Sequence, residues 1–323
     1  MFIEQGYKGN LGAWNFLVIP ILFILLMIFN YVSTMLMIDG GASVEESMQI
    51  MIDQMGKIVV LIILLSVFVV GILAIIFWAL VINQQSLEEI TTSRRKVDWK
   101  RVFAMFFFWG TISGAMILIS VYFDPENYVY NLDWSKFLPL LAVALIMLPL
   151  QTSFEEYLFR SQMMQGLGIM AKTRWIPFIV SSVLFGLMHA ANPEVEKLGM
   201  GIMVFYIGTG FLLGAMTLLD EGLELALGFH AANNIVAALL VTSTWTALQT
   251  DSIYLDVSQP TSIGLADLSS VIIGYPIILI ILGKIYKWKN WKEKLFGRVL
   301  SKEEFLALEH SVSTTQTQNT YDS

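Results

Sequence analysis

Residues 57–82 read KIVVLIILLSVFVVGILAIIFWALVI and carry no charged side chain after the first position. A helix of this length is roughly 39 Å long at ~1.5 Å per residue, and a bilayer hydrocarbon core is ~30 Å thick. The stretch therefore predicts a transmembrane helix. Residues 11–38 and 102–123 are also apolar runs without a later charge, so three transmembrane helices are predicted in the first part of the chain.

The whole chain has the composition of a membrane protein. Its 323 residues are 56% hydrophobic and 14% charged, whereas soluble globular proteins carry about 25% charged residues. This excludes an ordinary soluble enzyme. The absence of cysteine excludes disulfides, thiolate metal ligands and cysteine nucleophiles. The net charge of −7 argues against nucleic acid as a partner, because nucleic-acid recognition needs a concentrated basic surface.

Five further apolar runs are shorter or contain polar residues, and they complete the predicted fold. They are residues 137–167, 175–191, 199–219, 223–241 and 263–286, the last with Asp267 near its start. Together the runs predict an all-α polytopic membrane protein with about eight transmembrane helices. A β-barrel is disfavoured because the runs are continuous rather than alternating. The first run is too long for the ~7–15-residue core of a cleaved signal peptide.

The predicted helices divide the chain into four parts. Residues 1–136 hold the first three helices, residues 137–241 hold helices four to seven, and residues 242–287 hold the last helix. Residues 288–323 form a tail in which basic and apolar residues alternate up to His310 and polar residues follow from Ser311. We expect the first part of the tail to be amphipathic and the second to be disordered.

The basic residues predict the orientation of the bundle. Among the 19 Lys and Arg residues, only Lys57, Lys136 and Lys197 fall in loops on one side, Arg160 lies within a span, and the others fall on the opposite side. Because cytoplasmic loops are enriched in Lys and Arg, both termini are expected in the cytoplasm. Compact loops without organelle signals favour a bacterial inner membrane, with the endoplasmic reticulum as the alternative.

Ionisable side chains within membrane spans are costly and tend to mark function. In this chain they cluster in the predicted fourth, fifth and seventh helices. The candidates are Glu155, Glu156, Arg160, His189 and His230, joined by the carboxamide of Asn234. The cluster is the candidate functional site.

Helical spacing suggests a role for each member of the cluster. Glu156 and Arg160 are four residues apart and are expected to pair. Glu155 then points about 100° away from Glu156, as a general base would need. His230 and Asn234 share a face and both donate hydrogen bonds, so they are suited to stabilise an oxyanion. Each feature also has a purely structural interpretation, since ion pairs and histidines join helices within membranes.

Three short motifs in this order resemble those of the CPBP intramembrane protease family. That family includes the type II CAAX-prenyl endopeptidases and bacterial proteins linked to bacteriocin processing and self-immunity. The motifs are Glu155-Glu156-x-x-x-Arg160, Phe185-x-x-x-His189 and His230-x-x-x-Asn234. Each motif alone fixes few positions, but their order and their placement in membrane spans make the resemblance specific. It covers residues 138–241, about a third of the chain.

The resemblance implies an eight-helix bundle with an intramembrane catalytic cavity that hydrolyses a peptide bond of a membrane-associated peptide or protein. The roles that it implies are water activation by Glu155 and His189, an oxyanion site at His230 and Asn234, and support from Glu156 and Arg160. The lipid bilayer and a peptide substrate are therefore the expected partners.

Metal dependence separates two versions of this mechanism. Glu155, His189 and His230 form a His₂Glu set of the kind found at catalytic zinc. The His-Glu-x-x-His helix of zinc proteases is absent. We therefore favour glutamate-based catalysis without a cofactor, with zinc as the alternative.

Two interpretations without proteolysis compete with the protease. One is a membrane scaffold or bacteriocin-immunity protein that binds a peptide in the same cavity. The other is a transporter with Glu155 and His189 as a proton relay, which the absence of an internal repeat disfavours. One inconsistency accompanies the protease interpretation. Glu155 is predicted ~27 Å from the outer end of its span, whereas His189 is predicted at the outer end of the next.

Overall fold

The structure is a computed structural model that describes residues 1–41, 43–260, 262–264 and 268–321, with side chains described as far as Ser311. Helices dominate it. In chain order they are α1 (Val18–Asp39), α2 (Val44–Met55), α3 (Lys57–Phe77), α4 (Leu87–Thr91), α5 (Trp99–Phe123), α6 (Trp134–Glu156), α7 (Met164–Ala171), α8 (Trp175–Leu187), α9 (Pro193–Leu198), α10 (Met203–Asp220), α11 (Glu224–Leu240), α12 (Tyr275–Ile285), α13 (Trp291–Phe296) and α14 (Lys302–Tyr321).

Short segments of other geometry join these helices. The 3₁₀ segments are Ile3–Lys8, Ala13–Leu17, Pro125–Asn127 and Met200–Ile202, and the π-helical segments are Trp78–Ile82, Tyr157–Met163 and Ser270–Gly274. Three strands form a small sheet: β1 (Tyr128–Tyr130), β2 (Val241–Ser243) and β3 (Tyr254–Asp256). Its order is β1-β3-β2, with β1 antiparallel and β2 parallel to β3. Sequence reasoning did not predict these strands.

The predicted all-α membrane architecture is confirmed, although eight full spans are not. Five helical stretches in the described part of the chain are long and apolar enough to cross a bilayer: Ala13–Asp39, Lys57–Ile82, Trp99–Phe123, Trp134–Ala171 and Met200–Asp220. Three apolar helices are shorter: Trp175–Leu187, Glu224–Leu240 and Ser270–Ile285. Each predicted apolar run therefore contains a helix, and three of those helices fall below spanning length. Asp267 lies outside the described residues.

The long helix Trp134–Ala171 resolves the conflict over the depths of the two predicted catalytic residues. It continues from α6 through the π-helical segment into α7, and a turn then leads into α8. At ~1.5 Å per residue, Glu155 lies about 24 Å from Ala171 and His189 about 21 Å from Trp175. Both therefore lie at similar distances from the turn. Because α8 has only 13 residues, His189 follows a helix of about 20 Å, shorter than a bilayer is thick.

Helix α11 packs against α5, α6 and α10 at the centre of the bundle, and α8 packs along α10. Two glycines allow these close approaches. A Cβ at Gly228 would overlap the carbonyl oxygen of Val102 on α5, and a Cβ at Gly210 would overlap the carbonyl oxygen of Ser182 on α8. These contacts bring α6, α8, α10 and α11 together around the candidate site.

The two ends of the chain pack on each other. Tyr7 donates a hydrogen bond to the carbonyl oxygen of Leu300 at 2.9 Å, and Lys8 pairs with Glu309 on α14 at 2.7 Å. In the structure α14 extends as far as Tyr321. A capping box starts this helix, because Ser301 and Glu304 exchange side-chain and backbone hydrogen bonds.

Candidate active site

Two adjacent carboxylates of α6 contact one imidazole of α11. Glu156 Oε1 accepts a hydrogen bond from His230 Nδ1 at 2.7 Å, and Glu155 Oε2 lies 3.5 Å from His230 Nε2. The exposed fractions are 2% for Glu155, 0% for Glu156 and 5% for His230. Glu155 was expected to face away from the contacts of Glu156. Instead both side chains reach the same imidazole, Glu156 at Nδ1 and Glu155 at Nε2.

The predicted pair of Glu156 and Arg160 is confirmed, and Arg160 does more than neutralise a charge. Its Nη1 lies 3.4 Å from Glu156 Oε1, and its Nη2 donates to the carbonyl oxygen of Gly210 at 3.1 Å. Its guanidinium carbon lies 4.1 Å from the ring centre of Phe185. Arg160 has no exposed surface. It therefore links the π-helical segment after α6 to both α10 and α8.

Hydrogen bonding distinguishes the two oxygens of Glu155. Oε1 accepts from Gln151 Nε2 at 2.5 Å. Oε2 is buried and has no hydrogen-bond partner among the described residues. A carboxylate oxygen without a donor inside an apolar bundle is costly unless something binds it. Glu156 Oε2 and Arg160 Nε are also buried without a partner in the described part of the chain, but Glu155 Oε2 is the one that lies beside His230 Nε2, and it is available for a small polar ligand such as water.

Asn234 joins the site through a residue that sequence reasoning missed. Its Nδ2 donates to Gln151 Oε1 at 3.0 Å, so Gln151 bridges Asn234 and Glu155. Gln151 is buried on α6. The available signal was a carboxamide four residues before Glu155, on the same face of an apolar helix.

His189 stands apart from Glu155. Its Nδ1 lies 3.0 Å from the carbonyl oxygen of Phe185, and its ring stacks on Tyr206 of α10 at 4.2 Å and 12°. Because a carbonyl oxygen only accepts, Nδ1 carries the proton and Nε2 keeps its lone pair. The described hydrogen bonds and ion pairs include none between His189 and Glu155. The joint activation of a water that the resemblance implies for these two residues would therefore run through the water itself and not through a direct contact. The Phe185 ring, 5.7 Å from His230 and 5.4 Å from His189 between ring centres, contacts both imidazoles.

The alternative zinc ligands do not assemble. Within the described part of the chain, no three His, Asp or Glu side chains converge as a metal site requires. Glu155 and His230 approach each other, whereas His189 turns towards Tyr206. The side chains of this structure therefore do not fit a His₂Glu zinc site.

A family model matches the part of the chain that contains this site. Residues 134–236 match the model described as type II CAAX prenyl endopeptidase Rce1-like. The matched segment contains all six predicted site residues. It confirms the resemblance that the three motifs indicated.

The chain is also similar to a bacterial protein. The uncharacterized protein YyaK of Bacillus subtilis (strain 168) is 32% identical over 162 residues, which cover 50% of this chain and 54% of that protein. The similarity thus spans about half the length of each. No solved structure matches the chain.

Proposed function

We propose that this chain is an intramembrane endopeptidase that hydrolyses a peptide bond with a water activated by Glu155. The observation that carries the proposal is the buried, unpartnered Oε2 of Glu155 beside Nε2 of His230. The match of residues 134–236 to a peptidase family model supports the same reaction.

Glu155 acts as the base and then as the acid. A water bound at Oε2 gives its proton to Glu155 as its oxygen bonds to the scissile carbonyl carbon. The electron pair of the carbonyl π bond moves to the carbonyl oxygen. When the intermediate collapses, that carbonyl re-forms, the C–N bond breaks, and Glu155 returns the proton to the leaving nitrogen. The carboxylate is then regenerated, with one acid and one amine as products.

His230 and Asn234 stabilise the oxyanion. Glu156 holds Nδ1 of His230 as a donor, which leaves Nε2 to donate to the developing negative charge. Donation from both ring nitrogens is a property of the imidazolium form of histidine. Asn234 Nδ2 uses one hydrogen for Gln151 and has a second to offer. Two preorganised donors in an apolar site are the arrangement that acyl transfer needs.

His189 has a separate role. Its Nε2 lone pair is suited to accept a hydrogen bond from the attacking water, while the carbonyl oxygen of Phe185 binds Nδ1 and the Phe185 ring lies 5.4 Å from the imidazole between ring centres. We propose no metal in the reaction, because the three ligands of the alternative zinc site do not converge.

The chain is an integral membrane protein, since five helical stretches in its described part have spanning length and composition. We propose the bacterial inner membrane, with both termini in the cytoplasm, because the Lys and Arg residues concentrate on that side and the Bacillus subtilis protein YyaK is similar over about half its length. The proposed substrates are membrane-associated peptides or proteins, a class that includes prenylated C-termini and bacteriocin leaders.

Comparison of membrane peptides between strains tests the proposal. Cells carry the wild-type chain, Glu155→Gln, or Glu126→Gln as a control at an exposed loop position. New peptide termini are read by mass spectrometry. We expect termini that are present with wild type and Glu126→Gln and absent with Glu155→Gln. Identical termini in all three strains would contradict the proposal and favour a scaffold or immunity protein that binds without cleavage.

A further inference from the structure

A chain of hydrogen bonds runs across three helices and ends on Glu155. It begins on α5, continues through two side chains of α11, and reaches α6. The links are Trp109 Nε1 to Asn233 Oδ1 at 3.2 Å, Asn233 Nδ2 to Asn234 Oδ1 at 3.3 Å, Asn234 Nδ2 to Gln151 Oε1 at 3.0 Å, and Gln151 Nε2 to Glu155 Oε1 at 2.5 Å. We call these five side chains the amide relay.

The two ends of the amide relay determine its direction. The indole of Trp109 only donates, and the ionised carboxylate of Glu155 only accepts. Each carboxamide between them must therefore accept through oxygen and donate through nitrogen. Rotating one carboxamide by 180° would place its NH2 group against the preceding donor and its oxygen against the following acceptor. The relay thus selects one orientation for all three amides.

The orientation of the three amides affects two of the proposed catalytic residues, Asn234 and Glu155. We propose that Trp109, Asn233 and Gln151 are positioning residues for the reaction proposed above, on which this inference rests. The relay turns the donor end of Asn234 towards Gln151 and the site. It also anchors Glu155 through Oε1, which leaves Oε2 free for water. Neither outcome requires these residues to touch the substrate.

Packing fixes the position of Trp109, the first side chain of the amide relay. Trp109 is buried and stacks on Phe229 with ring centres 4.4 Å apart and an angle of 23°. Phe229 lies on α11 next to His230, so this stack joins α5 to the helix that carries the oxyanion donors. Phenylalanine at position 109 would keep an aromatic ring for the stack and remove the N–H group together with part of the indole volume.

The chain provides a matched control for this change. Trp78 Nε1 donates to Asn15 Oδ1 at 3.1 Å, a bond of the same chemistry that has no link to the relay. We expect Trp109→Phe to lower kcat about tenfold with KM unchanged, as loss of orientation rather than of substrate binding would do. Trp78→Phe is expected to keep the wild-type kcat. Equal kcat values for Trp109→Phe and Trp78→Phe would overturn the inference.

A second measurement does not depend on activity. In protein labelled with ¹⁵N-tryptophan, the two Phe variants identify the indole N–H resonances of Trp109 and Trp78. Gln151→Leu then breaks the relay two carboxamides away from Trp109. We expect it to shift the Trp109 resonance and leave that of Trp78 in place. An unmoved Trp109 resonance would show that its hydrogen bond is merely local.

The two measurements separate the relay from the proposed function. A wild-type protein that cleaves nothing would refute the endopeptidase and, with it, the positioning roles. A wild-type protein that cleaves, with kcat insensitive to Trp109→Phe or with an unmoved Trp109 resonance in Gln151→Leu, would refute the relay alone.

Discussion

Replacing Arg160 with methionine tests whether its charge holds the candidate site together. Methionine keeps an unbranched side chain and removes the guanidinium. Arg160 is fully buried, pairs with Glu156, donates to the carbonyl oxygen of Gly210 and lies over the ring of Phe185. The variant therefore leaves the Glu156 carboxylate inside the bundle with only the hydrogen bond from His230 Nδ1.

The loss in free energy of unfolding distinguishes a buried ion pair from an ordinary hydrogen bond between helices. Removing one partner of a buried ion pair costs about 3–5 kcal/mol, because the other charge is left uncompensated. An ordinary hydrogen bond between membrane helices contributes only about 0.6 kcal/mol. We therefore expect the free energy of unfolding of Arg160→Met to be about 3 kcal/mol or more below that of wild type. The double variant Glu156→Gln, Arg160→Met removes both charges and should recover at least about 1 kcal/mol of that loss.

Equilibrium unfolding in mixed micelles measures these differences. Arg298→Met is the control, since Arg298 pairs with Glu304 on the exposed tail, and no measurable change is expected there. A loss below about 1 kcal/mol for Arg160→Met would show that the buried Glu156 carboxylate does not depend on the guanidinium for its stability. So would a double variant that is less stable than Arg160→Met.

Two further predictions concern packing and pH. Gly210→Ala places a Cβ against the carbonyl oxygen of Ser182 and should destabilise the bundle by about 1–3 kcal/mol, whereas Gly274→Ala meets no atom within 4 Å and should keep the wild-type Tm. Burial raises the pKa of Glu194, which accepts a hydrogen bond from the N–H of Ala247 at 2.8 Å. A carboxyl group with a raised pKa in the folded state stabilises at low pH and loses that stabilisation as the pH rises. Glu194→Gln should therefore match the wild-type Tm near pH 4 and exceed it towards pH 7, and a Tm difference that does not change with pH would contradict this explanation.

The features that sequence reasoning predicted correctly are local ones. The apolar run at residues 57–82 is the helical stretch Lys57–Ile82, because length and hydropathy alone decide such a span. The pair of Glu156 and Arg160 forms because residues four apart on a helix are neighbours. The resemblance is confirmed by the family model, whose matched segment contains the three motifs.

The features that sequence reasoning missed depend on contacts between helices. No spacing along the chain shows that His230 lies between Glu155 and Glu156, since that requires α11 to pack against α6. The orientation of His189 depends in the same way on Tyr206 of α10. The short sheet was missed because three-residue strands are too short to show alternation.

The inconsistency in depth came from treating each apolar run as a full span. Helix α8 has 13 residues and the long helix Trp134–Ala171 has 38. Treating both as full spans placed Glu155 and His189 at different depths. Helix lengths that depart from the bilayer thickness are set by the packing of neighbouring helices, which hydropathy does not report.

Cleavage by purified protein in the presence of a zinc chelator is the most direct test of the central claim. The wild-type chain and Glu155→Gln are reconstituted in liposomes and mixed with membrane peptides from a strain that lacks the protein, and new termini are identified by mass spectrometry. If Glu155 activates the water without a metal, wild type cleaves with the chelator present and Glu155→Gln does not cleave. Cleavage that disappears with the chelator and returns with zinc, or that persists in Glu155→Gln, would contradict this mechanism.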